Sequence, residues 1–279
     1  MGKLGIDVSD NQGYINWEKV KAAGVEFAIL RSVRRSGTVD KQLASNIAGC
    51  LKNGIPFDFY KFSYALSEKD AVQEAKEVIA ALAKLGIKPS SDTVIWMDVE
   101  WDKQIALSKS ALTTIVKAFK KEVVAAGFAF GIYMGRYDYN KDELNVNEVG
   151  GHTWLARYYD GYNVMQFGTK PNEQYKPSAK DGELWGWQFT SSGRVDGIKG
   201  NVDMDIAYYD IKPTVVKPEY YETPEFTLID SLNKIGVDSS FKNRKVIAEK
   251  NDIKDYSGTA EQNIQMLSLL NEGKLIRVK

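Results

Sequence analysis

Three short stretches carry carboxylates at a spacing suited to acid/base work: GIDVS with Asp7, MDVE with Asp98 and Glu100, and GNVDMD with Asp203 and Asp205. Residues two apart in an extended chain face the same side, so Asp98 and Glu100 point together while Met97 and Val99 point the other way. Cleavage of a glycosidic bond is one reaction such a set can serve, since one carboxylic acid protonates the leaving oxygen and a second carboxylate manages positive charge at the anomeric carbon. Gathering Asp7, Asp98, Glu100 and Asp203 in one place predicts like-charge repulsion that raises the pKa of at least one of them. Same-face carbons two residues apart lie about 6.6 Å apart, between the ~5–5.5 Å of direct nucleophilic retention and the ~6.5–9.5 Å of inversion, so spacing leaves the stereochemical course open.

Other chemistries find little support. His152 is the only histidine and Cys50 the only cysteine, which leaves no redundant Ser-His-Asp array, no zinc ligand set and no intrachain disulfide. The expectation is a packed thiol at Cys50, a structural His152, and neither metal nor cofactor; a hard cation on the carboxylates is disfavoured because it would neutralise the charges that keep Glu100 protonated. No glycine-rich nucleotide motif occurs. Aromatic residues fall in or just after the apolar runs (Tyr60, Tyr64, Trp101, Tyr133, Trp154, Tyr158, Trp185, Trp187), as sugar-stacking platforms require, though about half should be core. Tyr60, Tyr133 and Gln188, each near the end of its run, are the expected lining residues.

A frame must bring these groups together. Eight runs rich in β-branched and aromatic residues read as strands: Gly5–Ser9, Phe27–Val33, Phe57–Ala65, Thr93–Glu100, Ala129–Gly135, Gly151–Tyr158, Leu184–Phe189 and Val202–Tyr208. Helical patterns separate the early ones, opening at Asn16, Asp40, Ser67 and Ser108 and closing near Gly24, Gly54, Gly86 and Gly127. After the fifth strand only a short helix is expected within 137–149, and polar or Gly-rich loops join the rest. The predicted fold is therefore α/β, an irregular TIM-like barrel of five β/α units plus three strands spanning 1–210, with acidic residues at the catalytic, C-terminal face of the strands. Three prolines in DIKPTVVKPEYYETPEF predict a linker over 211–225. Beyond it, Thr227–Ile235, Phe241–Asn251 and Ala260–Asn271 read as amphipathic helices of a small all-α module, 226–279.

Composition narrows the partners. With 37 basic and 37 acidic residues among 279, the chain lacks the basic excess that nucleic acid requires. The N-terminus MGKLGIDVSDNQ does not read as a secretory signal, and no apolar run approaches the ~18 residues of a membrane span, so neither membrane insertion nor self-directed export is expected.

In order along the chain, GIDVSDNQGYINWEKVKAAGVEFAILR, VIWMDVE, GIYMG, TWLARY and LWGWQFTSSGRVDGIKGNVDMDIAY resemble the motifs of glycoside hydrolase family 25, the Chalaropsis-type lysozymes common among phage endolysins and bacterial autolysins. The resemblance covers about 3–210. It implies hydrolysis of the β-1,4 bond between N-acetylmuramic acid and N-acetylglucosamine in bacterial peptidoglycan, by a protein made in the cytoplasm that acts on the wall after release, in phage-induced lysis of the host. It further implies Glu100 as general acid, Asp98 steering the substrate's acetamido group, and Asp7 and Asp203 in support. A chitinase-like hydrolase and a non-catalytic carbohydrate-binding barrel are the rivals. The C-terminal module is similar to short segments of some phage lysins, which implies wall binding, with self-association through its exposed apolar faces as the alternative.

Overall fold

The computed structural model describes residues 2–179, 184–212 and 227–278. Most of the linker expected at 211–225 lies outside them. The chain divides into two compact units, Met1–Val215 and Val216–Lys279.

The first unit is built on nine strands: β1 (Lys3–Val8), β2 (Phe27–Arg31), β3 (Phe57–Phe62), β4 (Val94–Asp98), β5 (Ala129–Gly135), β6 (His152–Ala156), β7 (Met165–Gln166), β8 (Leu184–Arg194) and β9 (Val202–Ala207). Strands β1 to β6 pair in parallel in chain order, β9 pairs antiparallel with both β1 and β8, and a parallel β6–β8 pairing closes the ring. The result is an eight-stranded barrel, with β7 attached outside the ring along β8. Five β/α connections precede β6, through α1 (Trp17–Ala22), α2 (Leu43–Lys52), α3 (Glu68–Lys84), the pair α4 (Asp102–Ile105) and α5 (Lys109–Ala125), and the short α6 (Arg136–Asn140) and α7 (Val146–Val149). The irregular TIM-like barrel anticipated from sequence is the fold observed.

Local signals explain most boundaries. Side chains of Asn16, Ser67 and Ser108 accept from the backbone N–H groups of Lys19, Asp70 and Ala111 and so start α1, α3 and α5. Asp40 behaves differently from expectation, since α2 begins only at Leu43. The Asp40 carboxylate instead takes the N–H of Gln42 at 2.8 Å and the Arg31 guanidinium at 2.8 Å, a tertiary ion pair that no local pattern reveals. Strand β8 runs five residues beyond its expected end, and β7 was not anticipated: two residues are too few to show a period.

Alternation sorts the strands into two layers. Leu30, Phe59, Ile95, Met97 and Leu155 are fully buried on the helix-covered side, where Leu43, Val78, Leu82, Val116 and Phe119 supply the facing apolar stripe and Cys50 is packed as a thiol, while Trp187 on β8 is buried against Tyr159 and Phe189. The barrel interior holds Phe27, Ile29, Val94, Trp96, Tyr133 and Trp154. Such large rings fit because opposite positions are glycine: a Cβ on Gly5 would lie 2.4 Å from the Phe27 ring, and one on Gly131 would lie 2.2 Å from Trp96. At the floor, where the parallel strands begin, the Asp58 carboxylate accepts from Val94 N–H at 2.9 Å and from the Tyr209 hydroxyl at 3.0 Å. His152 sits there too, against Trp185, its pKa lowered to about 4 first by burial and then by Lys120, so the ring is neutral packing.

The second unit contains α8 (Leu228–Lys234), α9 (Phe241–Lys250) and α10 (Ala260–Asn271), capped by Thr227, Ser240 and Thr259. Its core is Leu228, Leu232, Ile247, Ala248, Ile253, Tyr256, Met266, Leu270 and Leu275. Asn251 ties the last turn back by exchanging two hydrogen bonds with Ile276, at 2.7 and 3.0 Å. Ile229, Phe241, Val246 and Ile264 remain exposed.

Candidate active site

A cleft of about 490 Å³ opens at the C-terminal ends of the parallel strands, and it brings together Glu100, Asp98, Asp7, Asp203, Tyr60, Tyr133 and Gln188. All seven residues singled out in the sequence therefore share one wall-to-wall space. Strand register accounts for this. Asp7 pairs across from Asp203 on β9, and Asp98 ends β4 opposite Phe62 on one side and Tyr133 on the other. Regular strand structure stops at Asp98, short of the expected Glu100, although Val99 N–H still bonds to Tyr133 O at 2.9 Å and carries Glu100 into the same cleft.

A hydrogen-bond relay fixes the lining. Gln188 donates from Nε2 to Asp7 at 2.7 Å, and its Oε1 accepts from the hydroxyls of Tyr133, at 2.9 Å, and Tyr158. Tyr133 also reaches Glu100. One layer down, Trp154 donates to Asp205 at 2.9 Å. Asp205 and Asp203 thus both point inward, but only Asp203 lines the cleft. Asp205 meets Asp7 carboxyl to carboxyl, an arrangement that requires a shared proton, in keeping with the raised pKa of both groups.

The electrostatics follow from burial first. Asp98 lies 5% exposed and is pushed well above the usual carboxylate range by desolvation, then by Glu100 and Asp203, with Lys61 acting against them. Asp203 is raised to about 7 by desolvation and then by Glu100. Glu100 stands open to the cleft, yet the protein around it displaces enough water to raise its pKa; Tyr133 opposes this and Asp138 on α6 adds to it. Like-charge repulsion, which the sequence suggested as the cause, is secondary to lost hydration throughout. One oxygen of Asp98 is buried without a hydrogen-bond partner among the described residues. An unsatisfied buried acceptor of this kind is unfavourable in isolation and suits a site completed by a ligand.

Sequence reasoning passed over several lining residues. Asp10 follows β1, Arg31 ends β2, and Arg34 and Arg35 come just after it, while Tyr64, already named among the aromatic candidates, lines the cleft after β3. Arg31 bridges Asp10 and Asp40, and Arg34 reaches Asp10 at 3.3 Å. Their signal was weak because isolated charges just past a strand are usually solvated. Among the described residues no group of three His, Cys, Asp or Glu side chains is arranged to hold a metal ion, and no helix is long and apolar enough to cross a membrane.

A carboxylate-floored cleft at the C-terminal face of an eight-stranded barrel, walled by tyrosines, defines the general class of acid/base hydrolase barrels. Residues 6–198 match the profile of glycosyl hydrolases family 25. The chain belongs to that family. It is similar to the autolytic lysozyme of Clostridium acetobutylicum, 26% identical over 201 residues covering 72% of this chain and 54% of that protein, so it spans about half the length of that relative. The catalytic domain of the endolysin ply40 from Listeria monocytogenes bacteriophage P40 superposes with a TM-score of 0.60 at 29% identity, over 76% of this chain and 95% of that one. A shorter stretch of 52 residues, 19% of this chain and 18% of the relative, is 48% identical to the L-alanyl-D-glutamate peptidase of Listeria phage A118.

Proposed function

We propose that the barrel hydrolyses the β-1,4 bond between N-acetylmuramic acid and N-acetylglucosamine in bacterial peptidoglycan. The observation that carries this reading is the pairing at the end of β4: a solvent-facing Glu100 with a raised pKa beside a buried Asp98 whose free oxygen is unpartnered. Glu100 in its acid form protonates the leaving glycosidic oxygen. Asp98, with Asp7 and Asp203 behind it, stabilises the positive charge that grows at the anomeric carbon and orients the substrate's acetamido group toward it. Tyr60, Tyr133 and Gln188 supply contact surface and hold the carboxylates in place. Family membership supports the reaction type, and the lysozyme and endolysin relatives support this polymer.

The helical unit is assigned to wall binding. A glycosidase and a peptidase break different bonds, so a stretch common to both suits targeting better than chemistry; this reading takes the 52-residue stretch to be the helical unit, to which it is close in length. Exposed Phe241, Val246 and Ile264 supply its contact surface, and self-association would use the same faces. Release to the wall during phage-induced lysis of the host completes the reading. The test is incubation with purified peptidoglycan and, separately, with chitin, followed by analysis of new reducing ends. Muramic acid ends from peptidoglycan alone are expected; glucosamine ends from chitin would favour the chitinase-like rival, and no ends from either would favour a binding barrel.

A further inference from the structure

Beside the acidic centre of the cleft lies a basic, aromatic rim with no partner of its own. The chain leaves β2 through a tight excursion in which Val33 bridges antiparallel to Val39, Arg34 N–H bonds to Thr38 O at 2.8 Å, and Gly37 N–H closes on Arg34 O at 3.0 Å with a positive φ of 76°. Arg35 sits at the corner of this turn. Its guanidinium lies 4.6 Å from the centre of the Tyr64 ring and 5.4 Å from that of Trp101, and the two rings meet edge to face at 5.3 Å. Lys103 approaches the same Trp101 ring at 5.4 Å. Neighbouring Arg31 and Arg34 are neutralised by Asp10 and Asp40, whereas Arg35 and Lys103 are exposed and have no ion pair among the described residues.

Stacking on an aromatic face leaves the in-plane N–H donors of a guanidinium free, and their fork matches a carboxylate. The cleft itself is lined by five acidic side chains against three basic ones, Arg31, Arg34 and Arg35. With Arg31 and Arg34 already paired to Asp10 and Asp40, a carboxylate on the substrate finds its unneutralised, prepositioned guanidinium at this rim. We infer that Arg35, backed by Tyr64, Trp101 and Lys103, forms a subsite for a carboxylate of the peptide stem carried by the muramic acid residue, so that the enzyme favours peptide-bearing glycan over bare glycan. The inference rests on the muramidase reading above.

The test compares wild type, R35A and R35K on purified glycan strands freed of phosphate-containing wall polymers, before and after an amidase has removed the stems. The wild type is expected to cleave stem-bearing strands with the lower KM, and R35A to raise that KM about fivefold while raising the KM for bare strands much less, with R35K between them. Higher salt should narrow the difference. Equal loss by R35A on both substrates would show a structural or sugar-binding role and overturn the subsite, as would a wild type indifferent to the stems or an R35A defect seen only on walls retaining phosphate polymers. If the wild type releases no muramic acid ends from either substrate, it is the muramidase reading that falls, and the subsite with it.

Discussion

At the floor of the barrel the Asp58 carboxylate has both oxygens satisfied, by Val94 N–H and the Tyr209 hydroxyl, and aromatic rings seal it from water. At the mouth, Asp98 is as deeply buried, yet one oxygen has no partner among the described residues and the carboxylate borders an open cleft. Burial raises the pKa of both, Asp58 to about 7 and Asp98 well above its usual value. A perturbed pKa therefore does not distinguish the two ends of the barrel. What differs is satisfaction: the Asp58 carboxylate has both oxygens bonded within the protein, and Asp98 leaves an acceptor for something that is not protein.

Substitutions at the two ends should separate activity from stability. The largest effect is expected for E100Q, which keeps the shape of Glu100 and cannot donate its proton; initial rates on purified peptidoglycan should fall about 10³-fold or more, with wall binding and melting temperature near wild type. Wild-type rates from a folded E100Q would remove Glu100 from the acid role. Because the Glu100 pKa is raised, the acid form persists above the ordinary glutamate range, and the rate should decline as pH climbs through that elevated value.

D98N comes next, with kcat expected to fall about 10²- to 10³-fold and KM to change much less, since the charge it stabilises develops in the transition state. A KM effect without a kcat effect would recast Asp98 as a binding residue.

D58N should do the reverse, altering stability and sparing turnover. A carboxylic acid whose folded pKa exceeds its unfolded one binds its proton more tightly when folded, so stability is lost as pH rises through the interval between the two values. For Asp58 that interval runs from 3.8 to about 7, and its full weight above it is about 4 kcal/mol. Melting temperatures measured from pH 4 to 8 should fall less steeply for D58N than for wild type, with kcat preserved. A kcat loss comparable to that of D98N would erase the distinction between floor and mouth.

The smallest effect is expected from chelation, where excess EDTA at constant ionic strength should leave hydrolysis unchanged. Inhibition reversed by one divalent ion would mean that the carboxylates at the mouth hold a metal and that the acid/base roles need revision.

Local patterns alone determined the β/α order, three of the four early helix starts and the three C-terminal helices, because period and capping are properties of neighbouring residues. The two-residue spacing of Asp98 and Glu100 after an apolar run was likewise enough to place a carboxylate pair at a strand end. Tertiary structure decided the rest. Asp40 looked like a helix cap and became the anchor of Arg31, a partner nine positions away that the strand brings back. Asp203 and Asp205 were indistinguishable by spacing, and pairing with β1 and β8 set one in the cleft and the other beneath Trp154. The Arg35 rim required two loops, after β2 and after β4, to converge on Tyr64. Pairing, closure of the ring and loss of water act between residues far apart in sequence, so which carboxylates stay unsatisfied is fixed only when the barrel shuts.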